Sequence, residues 1–151
     1  MNASYVRFFA MIVTSTLVMF ALMYSTVYVA DHIWWSDTKA FMALYMGAAM
    51  AVVMLAFMLN MYTNNKANLA IFSGAAVLFA LGLWLARSQE TVQDVAWMKA
   101  MIPHHSIAIL TSSRADISDP RVRQLADEII EAQRREIAEM EALIADLEAG
   151  R

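Results

Sequence analysis

Three long apolar blocks separated by short polar breaks fill the first half of the chain, and a mixed polar and apolar pattern fills the second. Phe8 to Val29 is 22 residues without a charge, Phe41 to Tyr62 is a second uncharged block, and Leu69 to Ala86 is a third, closed by Arg87. At about 1.5 Å of rise per residue, roughly 20 apolar residues cross about 30 Å of hydrocarbon as a helix. Three transmembrane helices are therefore predicted, at about 8–29, 41–62 and 69–86, placing residues 1–87 in the bilayer. The first block is too long for the apolar core of a signal peptide, and Tyr28 stands where a small residue should precede cleavage after Ala30. Between the first two blocks, Ala30 to Ala40 forms a polar loop whose Trp34 and Trp35 read as interfacial anchors. The asparagine-rich run Thr63 to Asn68 reads as a tight turn.

From residue 88 onward the period becomes helical. A first helix is predicted at about 91–114. It either continues from the third span, since no glycine or proline lies between Leu83 and Ile102, or starts afresh at Thr91-x-x-Asp94. Asp119 reads as an N-cap with Pro120 in the first turn, opening a second helix at about 120–147 with Gly150 beyond it. Ala126, Ile130, Gln133, Ile137, Met140, Ile144 and Leu147 recur at alternating steps of four and three, a coiled-coil seam, and Asp94, Met98, Met101, His105, Ala108 and Ser112 give the first helix the same alternation. Folding the two antiparallel pairs residues whose numbers sum to about 235, because both helices rise equally. That puts His105 opposite Ile130, Met101 near Gln133 and Ile137, and Met98 and Asp94 near Met140. Two helices cannot close a four-helix core, so residues 88–151 are expected to pair as a homo-oligomer or to dock into a larger membrane complex.

Composition agrees with this division. Hydrophobic residues make up 60% of the 151-residue chain. Of its 11 basic and 14 acidic side chains, residues 1–86 hold only Arg7, Lys39 and Lys66 against Asp31 and Asp37, leaving 8 basic and 12 acidic for residues 87–151. The second half is thus mildly acidic with no basic stripe, and nucleic acid is not an expected partner. The lipid bilayer is. Cysteine is absent, which excludes thiolate zinc and iron–sulfur sites. An odd number of spans puts the chain ends on opposite sides. Arg7 and Lys66 flank one side and Lys39 and Arg87 the other, so counting basic residues nearly ties.

The densest chemistry lies in Trp97-Met98-Lys99-Ala100-Met101-Ile102-Pro103-His104-His105. On a helix Met98, Met101 and His105 share a face, with His104 a step round, and Pro103 deprives the Lys99 carbonyl of its helical donor. Soft thioether and borderline imidazole donors together suit Cu(I), whereas an alternating stripe of methionine and alanine is also what a packed core looks like. Gln133 is a buried polar group that either fixes register or reaches His104 or His105. No catalytic residue is assigned: the histidines lack the Glu-x-x-His pairing of a di-iron site, and Ser106, His105 and Asp94 on one helix do not converge as a triad. The protein is therefore expected not to be an enzyme.

Met98-Lys99-Ala100-Met101-Ile102-Pro103-His104-His105, followed by Ala108-Ile109, Asp119-Pro120, Leu125-Ala126, Ile129-Ile130, Gln133 and Glu136-Ile137-Ala138-Glu139-Met140, resembles the ferritin-like family called domain of unknown function 305. The resemblance runs from about Val95 to about Leu147. It implies a helical, extracytoplasmic domain, in which some relatives bind copper, or silver in its place, through methionine and histidine. Carried over by position, the implied metal ligands are Met98, Met101, His104, His105 and Met140, with His32, Asp94 and Gln133 as additional candidates. Thr111 stands where relatives often have a further methionine.

Within the membrane, Met42, Met46, Met50, Met54 and Met58 recur every four residues, a slowly winding ridge. A three-span chain with this row faintly resembles the copper transporter family whose second helix carries Met-x-x-x-Met, but its third span lacks that family's Gly-x-x-x-Gly. The expected architecture is all-α: a three-span membrane protein carrying a C-terminal ferritin-like antiparallel hairpin. The expected function is periplasmic copper or silver binding for tolerance or delivery, from a bacterial inner membrane with the N-terminus cytoplasmic. A non-catalytic accessory or structural subunit of a membrane complex is the alternative, and membrane copper transport a third.

Overall fold

The computed structural model describes residues 3–150, and among them every regular element is helical: α1 (Ala3–Leu22), a 3-10 turn (Ala30–His32), α2 (Asp37–Phe57), α3 (Asn65–Ser88), α4 (Asp94–Arg114) and α5 (Pro120–Ala149). Two compact units form. One comprises residues 1–23 and 38–91, the other residues 24–37 and 92–151.

The first unit holds three helices long and apolar enough to cross a membrane, Ser4–Leu22, Asp37–Phe57 and Asn65–Ser88. Their outward faces carry Val13, Leu17, Phe57, Leu69 and Val77, all more than half exposed, which suits hydrocarbon surroundings. Inside, Phe8, Leu55, Ala48, Ala51 and Ala75 pack with Tyr5 and Tyr62. Gly47 is required by a close approach, since a Cβ there would collide with the Thr16 hydroxyl, and a Cβ at Gly82 would meet the Tyr45 amide at 3.1 Å. At one end of the unit Tyr5 donates to the Asn68 side-chain oxygen at 2.8 Å, Asn68 donates to the Tyr62 carbonyl at 2.6 Å, and the Asn64 amide donates to the Tyr5 hydroxyl at 3.2 Å. These bonds pin the start of α1 to the α2–α3 turn. Asn64 also caps α3 by accepting from the Ala67 amide.

The apolar blocks overestimate the first helix at its far end. α1 stops at Leu22, and Tyr24 to Ser36 belong to the second unit instead. The α3–α4 alternative resolves in favour of a break: α3 ends at Ser88, Gln89 adopts a left-handed φ of 54° and donates through its amide to the Leu85 carbonyl, and α4 starts at Asp94 with Gln93 at its N-cap. The Gln89 side chain also donates to the Ala86 carbonyl at 2.7 Å, so helix-end carbonyls are satisfied without a glycine.

In the second unit α4 and α5 pack as the expected hairpin around Met98, Ile102, Ile109, Ile137, Met140 and Ile144. Asp119 caps α5 as its spacing predicts, accepting from the Arg121 amide at 2.8 Å, with Pro120 in the first turn. The α5 seam is buried at Ala126, Ile137, Met140 and Ile144, while Leu147 is 40% exposed. On α4 the buried set is Met98, Ile102, Pro103, Ser106 and Ile109 rather than the predicted stripe, a rotation of the buried face by about one residue, or roughly 100°. The cause is a second packing partner. α4 is covered by α5 on one side and by the segment Tyr24–Asp37 on another, where Trp34 packs against the same cluster under the Lys99 ammonium, 5.6 Å from its ring centroid. Trp34 is thus a core residue of this unit, not simply an interfacial anchor.

Replacing Asn68 with leucine leaves the Tyr5 hydroxyl only the longer, 3.4 Å bond to the Asn64 carbonyl and the Tyr62 carbonyl without the Asn68 donor. A loss of about 1–3 kcal/mol is expected in the detergent-solubilised protein, measured as a lowered thermal midpoint with unchanged helix content.

Candidate metal centre

Of the sequence-predicted ligands, three methionines belong to or pack against one apolar cluster. Met98 and Met140 are 5% and 6% exposed within the hairpin cluster, and Met101 packs against it half-buried. They come together because α4 and α5 run antiparallel, so a residue early in α4 meets one late in α5. His105 lies at the edge of this region with its side chain 16% exposed, whereas His104 points to solvent. The two rings are 6.2 Å apart in an edge arrangement.

His105 Nδ1 is buried and makes no hydrogen bond, yet it lies 3.0 Å from Glu136 Oε2 on α5. The contact is at ion-pair distance without hydrogen-bond alignment. An acidic position beside Arg134, Arg135 and Glu139 has the pattern of a solvated helix face, so only the register of the hairpin identifies Glu136 as a site residue. The predicted register puts Ile130 opposite His105, but His105 meets Glu136 and Lys99 meets Glu148, both further along α5. Near the turn the expected register does hold, with Arg123 donating to the Ser112 carbonyl.

Burial pushes the His105 imidazole below its ordinary pKa; the Glu136 carboxylate opposes this and the neighbouring His104 adds to it. A neutral ring is the state that ligates metal.

His32 is not brought to the sulfurs. Its Nδ1 lies 2.8 Å from the Ser106 hydroxyl, which is wholly buried on α4 and also accepts the Tyr28 amide at 2.7 Å. The histidine read as an optional ligand is therefore the clasp that fastens the α1–α2 loop to the motif helix. Asp94 is exposed at the start of α4, and Gln133 is half-buried on α5 with no contact to either histidine among the described hydrogen bonds. Thr111 turns its hydroxyl back onto the Ile107 and Ala108 carbonyls. Among the described residues no three His, Asp or Glu side chains converge as a metal-holding group, so a metal here would draw on sulfur.

Of the membrane methionines, Met42, Met46, Met50 and Met54 lie on α2 and Met58 follows its last residue. Met46 is 36% exposed and the other four are half-buried, with Met54 and Met58 packed against the three-helix cluster. A cavity of about 470 Å³ opens among α1, α2 and α3, lined by Ile12, Thr16, Gly47, Ile71 and Gly74 among others, and none of the five methionines lines it.

Residues 83–146 match the family model described as Domain of unknown function (DUF305). Over 103 residues the chain is 32% identical to Uncharacterized protein L153 of Acanthamoeba polyphaga mimivirus, covering 63% of this chain and 67% of that one. No solved structure matches the chain.

Two outcomes follow from this geometry. Ser106→Ala removes the acceptor of the Tyr28 amide and the partner of His32; a loss of about 1–3 kcal/mol is expected, with faster hydrogen exchange confined to residues 24–37 and the adjoining part of α4. For His105, a depressed folded pKa means that the folded state disfavours the proton relative to the unfolded chain. Its contribution to stability is present above about pH 6.5 and is lost as pH falls through the folded value. The thermal midpoint of the wild type should accordingly fall more steeply on acidification below that pH than that of His105→Gln.

Proposed function

Because the chain belongs to the family of the domain of unknown function DUF305, and carries that domain over residues 83–146, we propose that it is a membrane-anchored, extracytoplasmic binder of Cu(I), with Ag(I) as a substitute, acting in metal tolerance or delivery without catalysing a reaction. The observation that carries this reading is the packing of Met98, Met140 and Met101 in one cluster of the helix pair that also carries His105, a mostly buried histidine whose Nδ1 faces Glu136 at 3.0 Å. Thioether sulfur and neutral imidazole form the donor set that a soft monovalent ion prefers over hard cations. Met98, Met101, Met140 and His105 are the ligands of this proposal, with solvent-facing His104 as the residue that receives the ion first.

A bacterial inner membrane with the N-terminus cytoplasmic completes the proposal. One part of this topology, the common side of the loop and the C-terminal domain, draws support from the second unit itself. Segments that pack together lie on one side of a bilayer, and two apolar helices, α2 and α3, separate residues 24–37 from residues 92–151. The histidine-bearing loop and the motif helix then share the outer side.

A second reading, an accessory or structural subunit, draws on the near-complete burial of Met98 and Met140 among isoleucines and on Thr111 in place of a further thioether. One experiment separates the two. The full-length protein, purified in detergent and loaded with Cu(I) under reducing conditions, is expected to hold about one copper per chain. Chelator competition should show at least a roughly tenfold weakening, about 1.4 kcal/mol, in the Met101→Leu, His105→Ala double variant. Equal affinity in both proteins, or no retained copper, would overturn metal binding. A stable non-self partner in native mass spectrometry would then favour the subunit reading. Copper transport along the α2 methionines would require flux into proteoliposomes that drops in Met46→Leu, Met50→Leu.

A further inference from the structure

Among the described residues, Glu136 is the one acidic side chain at ion-pair distance from a motif histidine, and it reaches His105 from the opposite helix. Its Oε2 lies 3.0 Å from His105 Nδ1, a nitrogen that is itself buried and has no hydrogen-bond partner. A neutral imidazole has one N–H and one lone pair, and which nitrogen carries which is decided by the group each faces. A lone pair held 3.0 Å from a carboxylate oxygen is repelled, whereas an N–H there is attracted, and because the nitrogen is shut off from water no water competes with the carboxylate for it, although the carboxylate itself stays partly in water.

We propose that Glu136 is the positioning residue that keeps His105 in its Nδ1–H form and so leaves Nε2 as the lone-pair nitrogen. The same carboxylate fixes the rotation of the ring, since one edge is tied to α5 while the backbone belongs to α4. This assignment deepens the copper reading and rests on it for its purpose: carboxylates that hold the far nitrogen of a ligating histidine orient the ring and raise its basicity. The tautomer itself is a property of the protein without metal. Glu136 touches no metal in this account; it acts through His105.

The test uses full-length protein with 15N-labelled histidine, purified without metal and held just above neutral pH. The ring nitrogen shifts of His105, assigned by their loss in His105→Gln, are expected to report an Nδ1–H, Nε2-lone-pair ring in the wild type. In Glu136→Ala they are expected to move toward the Nε2–H form that unconstrained imidazoles favour. Glu136→Gln, which keeps an acceptor oxygen, should retain most of the wild-type form. A merely structural Glu136 would move the thermal midpoint and leave the tautomer ratio unchanged. An Nε2–H ring in the wild type, or an unaltered ratio in Glu136→Ala, would overturn the proposal. In the copper arm, Glu136→Ala should weaken Cu(I) binding about tenfold or more, with most of the affinity restored in Glu136→Gln. A shifted tautomer with unchanged affinity would overturn the link to the metal. Should no variant retain copper, the metal reading fails, while the tautomer ratio still decides what Glu136 does.

Discussion

The second unit depends on Ser106, a wholly buried hydroxyl on α4 that takes the Tyr28 amide at 2.7 Å and sits 2.8 Å from the His32 ring. A hydroxyl in an apolar interior is costly unless it is hydrogen-bonded. Both of its partners come from a segment that precedes it by more than seventy residues, so the helix can bury this face only when that segment is in place. A lone hairpin would leave one flank of α4 wet. The loop supplies the missing layer, and Trp34 extends it by packing onto the same isoleucine and methionine cluster that α5 covers from the other side.

Burial of the methionines stabilises the hairpin and tunes its chemistry at once. Met98 and Met140 are nearly sealed among isoleucines, where each thioether contributes hydrophobic area as leucine would. The proposed copper site thus asks core residues to exchange some packing for coordination. His105 stands at the border between the two roles, desolvated enough to favour its neutral form yet steadied by a carboxylate that remains partly in water.

What the sequence made legible is what depends on one periodicity at a time. The apolar blocks located three membrane-length helices, and the four-and-three alternation located the α5 seam, because α5 packs mainly on one neighbour. Asp119 and Pro120 announced the start of α5 through local capping chemistry alone. α4 was harder. It has two partners, so its buried face is the compromise between them, and a stripe chosen for one partner picked Met101 and His105 where the core took Ile102 and Ser106. The early end of α1 was illegible because the stretch beyond Leu22 continues uncharged through Met23, Val27 and Val29, and hydropathy alone does not separate such a stretch from a membrane helix. The pairing of His105 with Glu136, and of His32 with Ser106, depends on tertiary register, which spacing within a single helix does not contain.

The interleaving of the second unit also sets an order of assembly. At a synthesis rate of roughly 5–20 residues per second, the 74-residue separation between His32 and Ser106 means that the loop waits about 4–15 s for the helix it covers. During that interval Trp34 and Tyr28 face their surroundings unpartnered, and α2 and α3, both long and apolar enough to cross a membrane, are made before the motif. On the proposed three-span arrangement, failed insertion of either one of these helices would strand the loop and the motif on opposite faces of the membrane. On the proposed arrangement, completion of this unit therefore requires that α2 and α3 both cross or that neither does, so the Ser106 contacts tie the fold of the unit to membrane insertion.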